Sequence, residues 1–139
     1  MNDPYDLQRF VAAQQPVYQQ VCKELSGGRK HSHWMWFIFP QISGLGHSAT
    51  AQKFAISSVA EARAYLDHPL LGARLRECGA LVAALDGRSI DEIFGYPDDL
   101  KFHSSMTLFA RAAPEDQVFD QCLRKYFGGE PYPATLAQL

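Results

Sequence analysis

The sequence lacks the short motifs that identify most metal-dependent and nucleotide-dependent enzymes. It contains no His-Glu-x-x-His segment, no paired Cys-x-x-Cys segments, and no glycine spacing that matches a Walker loop or a dinucleotide-binding fingerprint. Its three cysteines, Cys22, Cys78 and Cys122, are widely separated and odd in number, which favours reduced core thiols over a disulfide framework. The sequence therefore predicts neither a bound metal nor a cofactor.

Long apolar runs and an excess of charge are also missing. Nowhere do about 18 apolar residues stand together, and residues 1–6 lack the basic and apolar regions of a secretory signal. Lysine and arginine number 13 against 15 aspartates and glutamates, which leaves a formal net charge of -2 and no global attraction to polyanions. We therefore expect a cytoplasmic protein that binds neither membranes nor nucleic acid. The sequence does not determine its oligomeric state.

The chain does contain helical periodicity, and it is bounded by residues that start or stop helices. The clearest apolar stripe consists of Leu71, Leu75, Cys78, Val82 and Leu85. Ser58 and Ser89 each precede a glutamate at the spacing of a capping box, and Pro69, Pro97 and Pro114 each fit a first helical position. No segment alternates cleanly with period two. The 139 residues therefore predict a mainly α, compact single-domain fold of several helices over residues 1–139.

The densest aromatic segment spans residues 29–41 and holds both tryptophans of the chain. Two interpretations of it stay open: the rings form a core anchor, or they line a pocket where an indole stacks on a planar ligand and cations contact phosphate. The secondary structure of residues 32–39 is ambiguous between a helical turn and a minor strand pair that involves residues 34–39. The pocket interpretation predicts these ligand-binding residues: Arg29, Lys30, His33, Trp34, Trp36, Gln41, Ser48 and Ser104.

A polar set lies further along the chain at Asp98, Lys101 and Ser105. Their spacing of three and four places them on one face of a helix that starts near Pro97. The opposite face of this helix is predicted to carry an apolar stripe of Phe102, Met106 and Phe109. The set would be catalytic if the lysine activates the serine, or if the lysine holds an anion while the aspartate serves as base. The alternative is a solvated face with an Asp98–Lys101 ion pair that contributes only a few tenths of a kcal/mol. Spacing alone favours this alternative.

Other polar residues give weaker signals. His31 and His33, with a third histidine, would suit a three-ligand zinc site, but histidines that are exposed or hydrogen-bonded are the more frequent case. A helix that starts near Ser48 would direct free backbone amides toward the preceding glycine loop, where an anion would bind. A simple helix cap explains Ser48 equally well.

The chain resembles the bacterial family catalogued as domain of unknown function 1810, some members of which carry the label calpastatin. The segment Ser-His-Trp-Met-Trp-Phe-Ile-Phe-Pro-Gln at 32–41 is the most specific part of the resemblance. The other segments that carry it are 6–10, 45–48, 61–66, 98–101, 104–109 and 125–129. The resemblance implies a compact, mainly helical cytoplasmic domain without an assigned activity.

A more distant resemblance connects residues 51–54 and 104–109 with the YbiA-like group, which is associated with NAD and ADP-ribose derivatives. It implies an anionic, nucleotide-derived ligand in a pocket walled by Trp34 and Trp36. Hydrolysis of an N-glycosidic bond in such a ligand would require a carboxylate, for which Asp98 is the candidate. The competing hypothesis is a non-catalytic helical interaction module, in which the aromatic segment is a core anchor or a hot spot for a partner protein.

Overall fold

Ten helices follow one another along residues 2–139, the part of the chain that this computed structural model describes. They are α1 (Gln8–Gln14), α2 (Tyr18–Ser26), α3 (Met35–Ile38), α4 (Ala49–Lys53), α5 (Val59–Asp67), α6 (Leu71–Ala83), α7 (Ile90–Phe94), α8 (Asp98–Ala112), α9 (Gln117–Phe127) and α10 (Pro133–Leu136). Within this part, the β pairing is limited to one parallel bridge between Ile42 and Ile56. The mainly α prediction is confirmed. None of these helices combines the length and the apolar character that crossing a membrane requires.

The aromatic segment adopts the helical form, because Met35–Ile38 make up α3. A strand pair that includes residues 34–39 is therefore wrong, and the isolated bridge begins only at Ile42. The apolar side chains of this segment pack against helices on several sides. A compact helical turn buries such an all-apolar run as well as a strand does, which is why periodicity could not distinguish the two.

Polar side chains cap several helices. At α7, the Ser89 hydroxyl accepts a hydrogen bond from the Glu92 backbone N–H at 3.1 Å, and the Glu92 carboxylate accepts from the Ser89 backbone N–H at 2.9 Å. This capping box is confirmed. At α5, the Ser58 hydroxyl caps the Glu61 backbone N–H, but the Glu61 carboxylate accepts instead from Ser57, 2.9 Å from its backbone nitrogen. The reciprocal half of that predicted box is therefore wrong.

The prolines predicted to occupy first helical positions precede their helices. Pro97 is the N-cap of α8, Pro114 lies three residues before α9, and Pro69 lies two residues before α6. At α6, the ring nitrogen Nδ1 of His68 accepts hydrogen bonds from the two backbone N–H groups that follow Pro69, each at 3.2 Å. The histidine therefore caps this helix start, and the proline only shapes the turn that leads to it.

Helix α8 occupies the centre of the fold and packs against α3, α5, α7, α9 and α10. Its predicted apolar stripe is confirmed, since Phe102, Met106 and Phe109 are completely buried. The Phe102 ring lies 4.9 Å from that of Phe39 and 4.8 Å from that of Phe94, between ring centroids. These aromatic contacts hold the first turns of α8 beside the aromatic segment and thereby bring the two predicted polar and aromatic regions together.

The junction between α5 and α6 requires a glycine. A Cβ atom at Gly72 would lie 2.0 Å from the carbonyl oxygen of Leu66. Real side chains do not approach a backbone oxygen that closely, so any larger residue would force the two helices apart. Leu66 near the end of α5 and Leu71 at the start of α6 are both buried at this junction.

Candidate functional site

A cleft of about 400 Å³ lies between the start of α8, the loop that precedes α4, and the C-terminal segment, which contains Tyr132 and Ala134. Its volume falls within the range of small-molecule binding sites. The walls are formed by Trp36, Gln41, Leu45, Gly46, His47, Ser48, Ala51, Pro97, Leu100, Lys101, Tyr132 and Ala134. These lining residues include two aromatic rings that carry a polar group, one lysine and no carboxylate. The combination suits an anionic ligand that contains a flat ring.

Two lysines and one aspartate connect the cleft with the interior. The Lys101 ammonium lies 4.7 Å from the centroid of the Trp36 ring and 3.4 Å from Asp98 Oδ1. The Lys30 ammonium lies 2.8 Å from Asp98 Oδ2 and 5.3 Å from the centroid of the Trp34 ring. A single carboxylate therefore bridges two ammonium groups, each of which lies over one of the two indoles.

Trp34 does not line the cleft, which corrects the prediction that both tryptophans wall a pocket. Its side chain is 1% exposed, and its indole N–H donates to Glu24 Oε1 at 3.0 Å. Trp36 is only half-buried and borders the cleft. The two residues differ because Trp34 is the N-cap of α3 and Trp36 lies in its first turn, and side chains two positions apart at a helix start point to different sides. One indole consequently enters the core while the other faces the cleft.

The buried carboxylate of Glu24 organises the loop that leads to the tryptophans. It accepts hydrogen bonds from the backbone N–H groups of His31 at 2.7 Å and Ser32 at 2.9 Å, and from the Ser32 hydroxyl at 2.6 Å. Burial disfavours its charge, but these bonds, together with one from Gln20, outweigh burial and hold the pKa of Glu24 at about 2. Glu24 is a structural anchor that sequence reasoning missed, because its position in α2 carries no motif.

Ser104 and Ser105 are buried and do not reach the cleft. The Ser104 hydroxyl lies 2.6 Å from the Thr135 hydroxyl, whereas the Ser105 hydroxyl has no hydrogen-bond partner among the described residues. The structure therefore does not bring Ser105, predicted as a catalytic residue, or Ser104, predicted as a ligand-binding residue, to the cleft. The spacing correctly places Ser105 on the helix face that carries Lys101. One turn beyond Lys101, however, this face is covered by other parts of the fold.

The basic residues before the tryptophans face elsewhere. Arg29 and Lys30 border a separate polar cavity of about 360 Å³, which they share with Arg88. His33 is exposed and lies outside the cleft. The structure therefore separates Arg29, Lys30 and His33 from the cleft that Trp36 borders. Among residues 2–139, Lys101 is the only lysine or arginine that lines this cleft.

The loop before α4 contributes the polar wall of the cleft. Gln41 and Ser48 both line it, and the Ser48 hydroxyl caps α4 by accepting from the Ala51 backbone N–H at 3.1 Å. A Cβ atom at Gly46 would lie 2.7 Å from the Ala51 Cβ, so this glycine permits the close approach of the loop to the helix. His47 also lines the cleft. Within residues 2–139, no group of three or more histidine, cysteine, aspartate or glutamate side chains is arranged to hold a metal ion.

The C-terminal segment forms the opposite wall, and side chains of α8 hold it in place. The Tyr132 backbone N–H donates to the Thr107 hydroxyl at 2.9 Å, and His103 Nε2 lies 2.7 Å from the Glu130 carbonyl oxygen. The His103 ring stacks on Phe127 with 3.8 Å between ring centroids, and burial lowers the pKa of His103 despite the bond to the carbonyl. Sequence reasoning missed Tyr132, whose only signal was an aromatic residue between two prolines.

Comparison with known proteins finds one matching family and a similar solved structure. A family model described as a protein of unknown function (DUF1810) matches residues 4–139. The crystal structure of the conserved hypothetical protein Rv1873 from Mycobacterium tuberculosis is similar, with a TM-score of 0.97 and 59% sequence identity. The similarity covers 99% of this chain and 98% of that chain. No curated protein matches the chain. These relatives carry no assigned ligand or reaction.

Proposed function

The chain belongs to the DUF1810 family, and because that membership brings no activity with it, we propose from the cleft itself that the protein binds a small anionic ligand derived from a nucleotide. The observation that carries the proposal is the position of Lys101. Its ammonium lies over the Trp36 ring, inside a cleft of nucleotide-compatible size. A nucleotide has an aromatic base that can stack on an aromatic side chain and a phosphate that an ammonium group can bind, so this pairing suits it.

The remaining lining residues fit the other parts of such a ligand. Tyr132 offers a second aromatic surface across the cleft from the loop before α4. Gln41 and Ser48 offer an amide and a hydroxyl, which suit the hydroxyl groups of a ribose. An ADP-ribose derivative combines all three features, and the more distant resemblance to the YbiA-like group favours the same ligand class. A cytoplasmic location, where such metabolites occur, is part of this proposal.

The geometry supports binding more strongly than N-glycosidic hydrolysis. A hydrolase of this kind needs a carboxylate free to activate water or to stabilise an oxocarbenium-like centre. The Asp98 carboxylate is occupied by two ammonium groups and is absent from the cleft lining. Asp98 would have to leave Lys101 before it could act on a ligand, and among residues 2–139 no carboxylate lines the cleft.

A protein-interaction module has less support. Among residues 2–139, the large apolar side chains that are exposed are Val59, Tyr96 and Leu139, which come from three separate segments. A partner-binding hot spot requires a contiguous apolar patch, whereas apolar side chains exposed singly are normal on protein surfaces. The structure offers a better-formed cleft than it offers a docking surface.

The test is a titration of the purified protein with AMP and with ADP-ribose, followed by tryptophan fluorescence and by thermal unfolding. A ligand at about 100 times its dissociation constant should raise the free energy of unfolding by roughly 2.7 kcal/mol. Lys101→Met keeps most of the side-chain length and removes the charge, so we expect AMP binding to weaken about tenfold. Lys23→Met, an exposed lysine in α2, is the matched control and should bind as the wild type does.

The proposal fails if the wild type shows no saturable binding of either nucleotide. It also fails if Lys101→Met and Lys23→Met bind AMP equally well, because the ammonium over Trp36 would then contribute nothing to recognition.

A further inference from the structure

We infer that Asp98 determines how strongly the affinity of this cleft depends on the negative charge of the ligand, because Asp98 is the counter-ion that Lys101 has before a ligand binds. This inference rests on the proposed function and adds to it a residue that sets specificity. The relevant contacts are unequal. The Asp98 carboxylate lies 2.8 Å from the Lys30 ammonium but 3.4 Å from the Lys101 ammonium. Lys30 is therefore its primary partner, and Lys101 is the looser one.

Burial explains why the carboxylate stays with Lys30. The Lys30 side chain is only 8% exposed, and a buried ammonium without a counter-ion is strongly unfavourable. The Lys101 side chain is 24% exposed and borders the cleft. When an anionic ligand enters, Lys101 can turn from Asp98 to the ligand without leaving either Asp98 or Lys30 unpaired. The structure thus contains one fixed ion pair and one cation that is available for exchange.

Charge counting gives the consequence for specificity. Lys30, Asp98 and Lys101 together carry one net positive charge, and the excess lies at the cleft. An anionic ligand is attracted by Lys101 but repelled by Asp98, whose Oδ1 lies 3.4 Å from the Lys101 ammonium. A neutral ligand experiences neither interaction. Removal of the Asp98 charge should therefore strengthen binding in proportion to the negative charge of the ligand, by several-fold for each unit.

A series of three adenine compounds tests this proportionality. Adenosine is neutral, 3′,5′-cyclic AMP carries one negative charge, and AMP carries close to two at pH 7.5, since the second pKa of a phosphate monoester is about 6. Asp98→Asn raises the net charge of the three groups by one unit. We expect it to bind cyclic AMP roughly 3-fold more tightly than the wild type does and AMP roughly 10-fold more tightly, with adenosine unchanged.

Two further variants separate charge from structure. Lys30→Met/Asp98→Asn removes the whole buried pair and restores the net charge of the wild type, so its affinity for AMP should return to within about twofold of the wild-type value. This double variant also avoids the unpaired buried ammonium that would destabilise Asp98→Asn. Asp99→Asn is the matched control. It removes the same charge from the same turn of α8, and Asp99 forms no ion pair with the described residues, so we expect a much smaller change in affinity. Because Asp99 Oδ1 is buried without a hydrogen-bond partner among these residues, thermal unfolding of this variant is measured beside its affinity.

The inference is overturned if Asp98→Asn binds AMP no more tightly than the wild type, or if adenosine gains as much as AMP. It is also overturned if the double variant fails to return toward wild-type affinity. If Asp98→Asn does not fold, the comparison of the double variant with Lys30→Met decides: Lys30→Met has one positive charge fewer and should bind AMP several-fold more weakly. A wild type that binds none of the three compounds overturns the proposed function as well. A wild type that binds them without this charge dependence overturns only the inference.

Discussion

Trp34 and Trp36 are two residues apart, yet they belong to regions of opposite character. The Trp34 region is closed: its indole is buried, and the Glu24 carboxylate beneath it accepts hydrogen bonds from several fixed donors. The Trp36 region is open: its indole borders a cleft, and the nearby carboxylate of Asp98 is shared between two lysines. Both regions pair a tryptophan with a carboxylate and a lysine. Burial and the number of fixed donors determine which one stabilises the fold and which one is available to a ligand.

The largest expected effect separates the two tryptophans by stability. Trp34→Ala should reduce the free energy of unfolding by about 3–5 kcal/mol, because it leaves a large cavity and removes a donor to Glu24. Trp36→Ala should cost about 1–2 kcal/mol, since its ring is only half-buried. Urea denaturation of both variants measures the difference. Equal losses would contradict the division into a closed and an open region.

The next effect concerns the anchor beneath Trp34. Glu24→Gln should reduce the free energy of unfolding by roughly 1–3 kcal/mol at pH 7. The loop presents N–H and O–H donors to this position, and the amide nitrogen of glutamine is itself a donor and cannot accept their hydrogen bonds. Glu130→Gln, at an exposed position, should cost nearly nothing.

The pH dependence of Glu24 sharpens the same comparison. Its pKa is about 2 in the folded protein against an ordinary value of 4.5, so the charged form stabilises the fold above pH 4.5. That contribution is lost as the pH falls from 4.5 toward 2. The stability difference between the wild type and Glu24→Gln should therefore narrow over this interval in urea titrations. A difference that stays constant would show that the charge of Glu24 is not responsible.

A smaller effect is expected in the loop that forms the wall of the cleft. Gly46→Ala would place a Cβ 2.7 Å from the Ala51 Cβ and displace the loop, so AMP binding should weaken about 3- to 10-fold while stability falls by no more than about 1 kcal/mol. The double variant Gly46→Ala/Ala51→Gly removes the opposing methyl group and should regain most of the affinity. Calorimetric titration measures both variants. Failure of the second substitution to restore binding would argue against this contact as the cause.

The smallest effect involves the C-terminal wall. The pKa of His103 is lowered by burial, so the neutral ring is favoured in the fold, and the stability that it contributes above its ordinary pKa of 6.5 is lost as the pH falls below that value. Hydrogen-exchange protection of the Tyr132 amide should consequently decrease between pH 7.5 and 5.5. His103→Phe keeps an aromatic ring against Phe127 but does not titrate. Its protection should change less over the same interval, and an equal decrease would exclude His103 as the origin.

Much of the fold was predictable because its determinants are local. The Ser89–Glu92 capping box and the apolar stripe on α8 are spacings along one helix, and both were confirmed. The reciprocal contact expected at Ser58 failed because the Glu61 carboxylate accepts from Ser57 through one oxygen and binds Arg9 of α1 through the other, and the contact with Arg9 depends on tertiary structure.

The site was less predictable, because its features depend on what lies beyond each helix. Spacing placed Ser105 on the same face as Lys101, but only the neighbouring elements show that this face is covered at Ser105. The side that each tryptophan faces was hidden, since nearly all residues around them are apolar. Tyr132 reaches the cleft through contacts with Thr107, 25 residues earlier in the chain. A pattern within a short stretch of sequence cannot predict such a long-range contact.

The most direct test of the central claim uses the two indole N–H resonances of the protein in a ¹⁵N-edited NMR titration with AMP. Substitution of each tryptophan by phenylalanine assigns the two signals. The account predicts that the Trp36 signal shifts progressively to saturation while the Trp34 signal, buried on Glu24, stays in place. A titration in which the Trp36 signal does not move, or in which Trp34 alone responds, would contradict it.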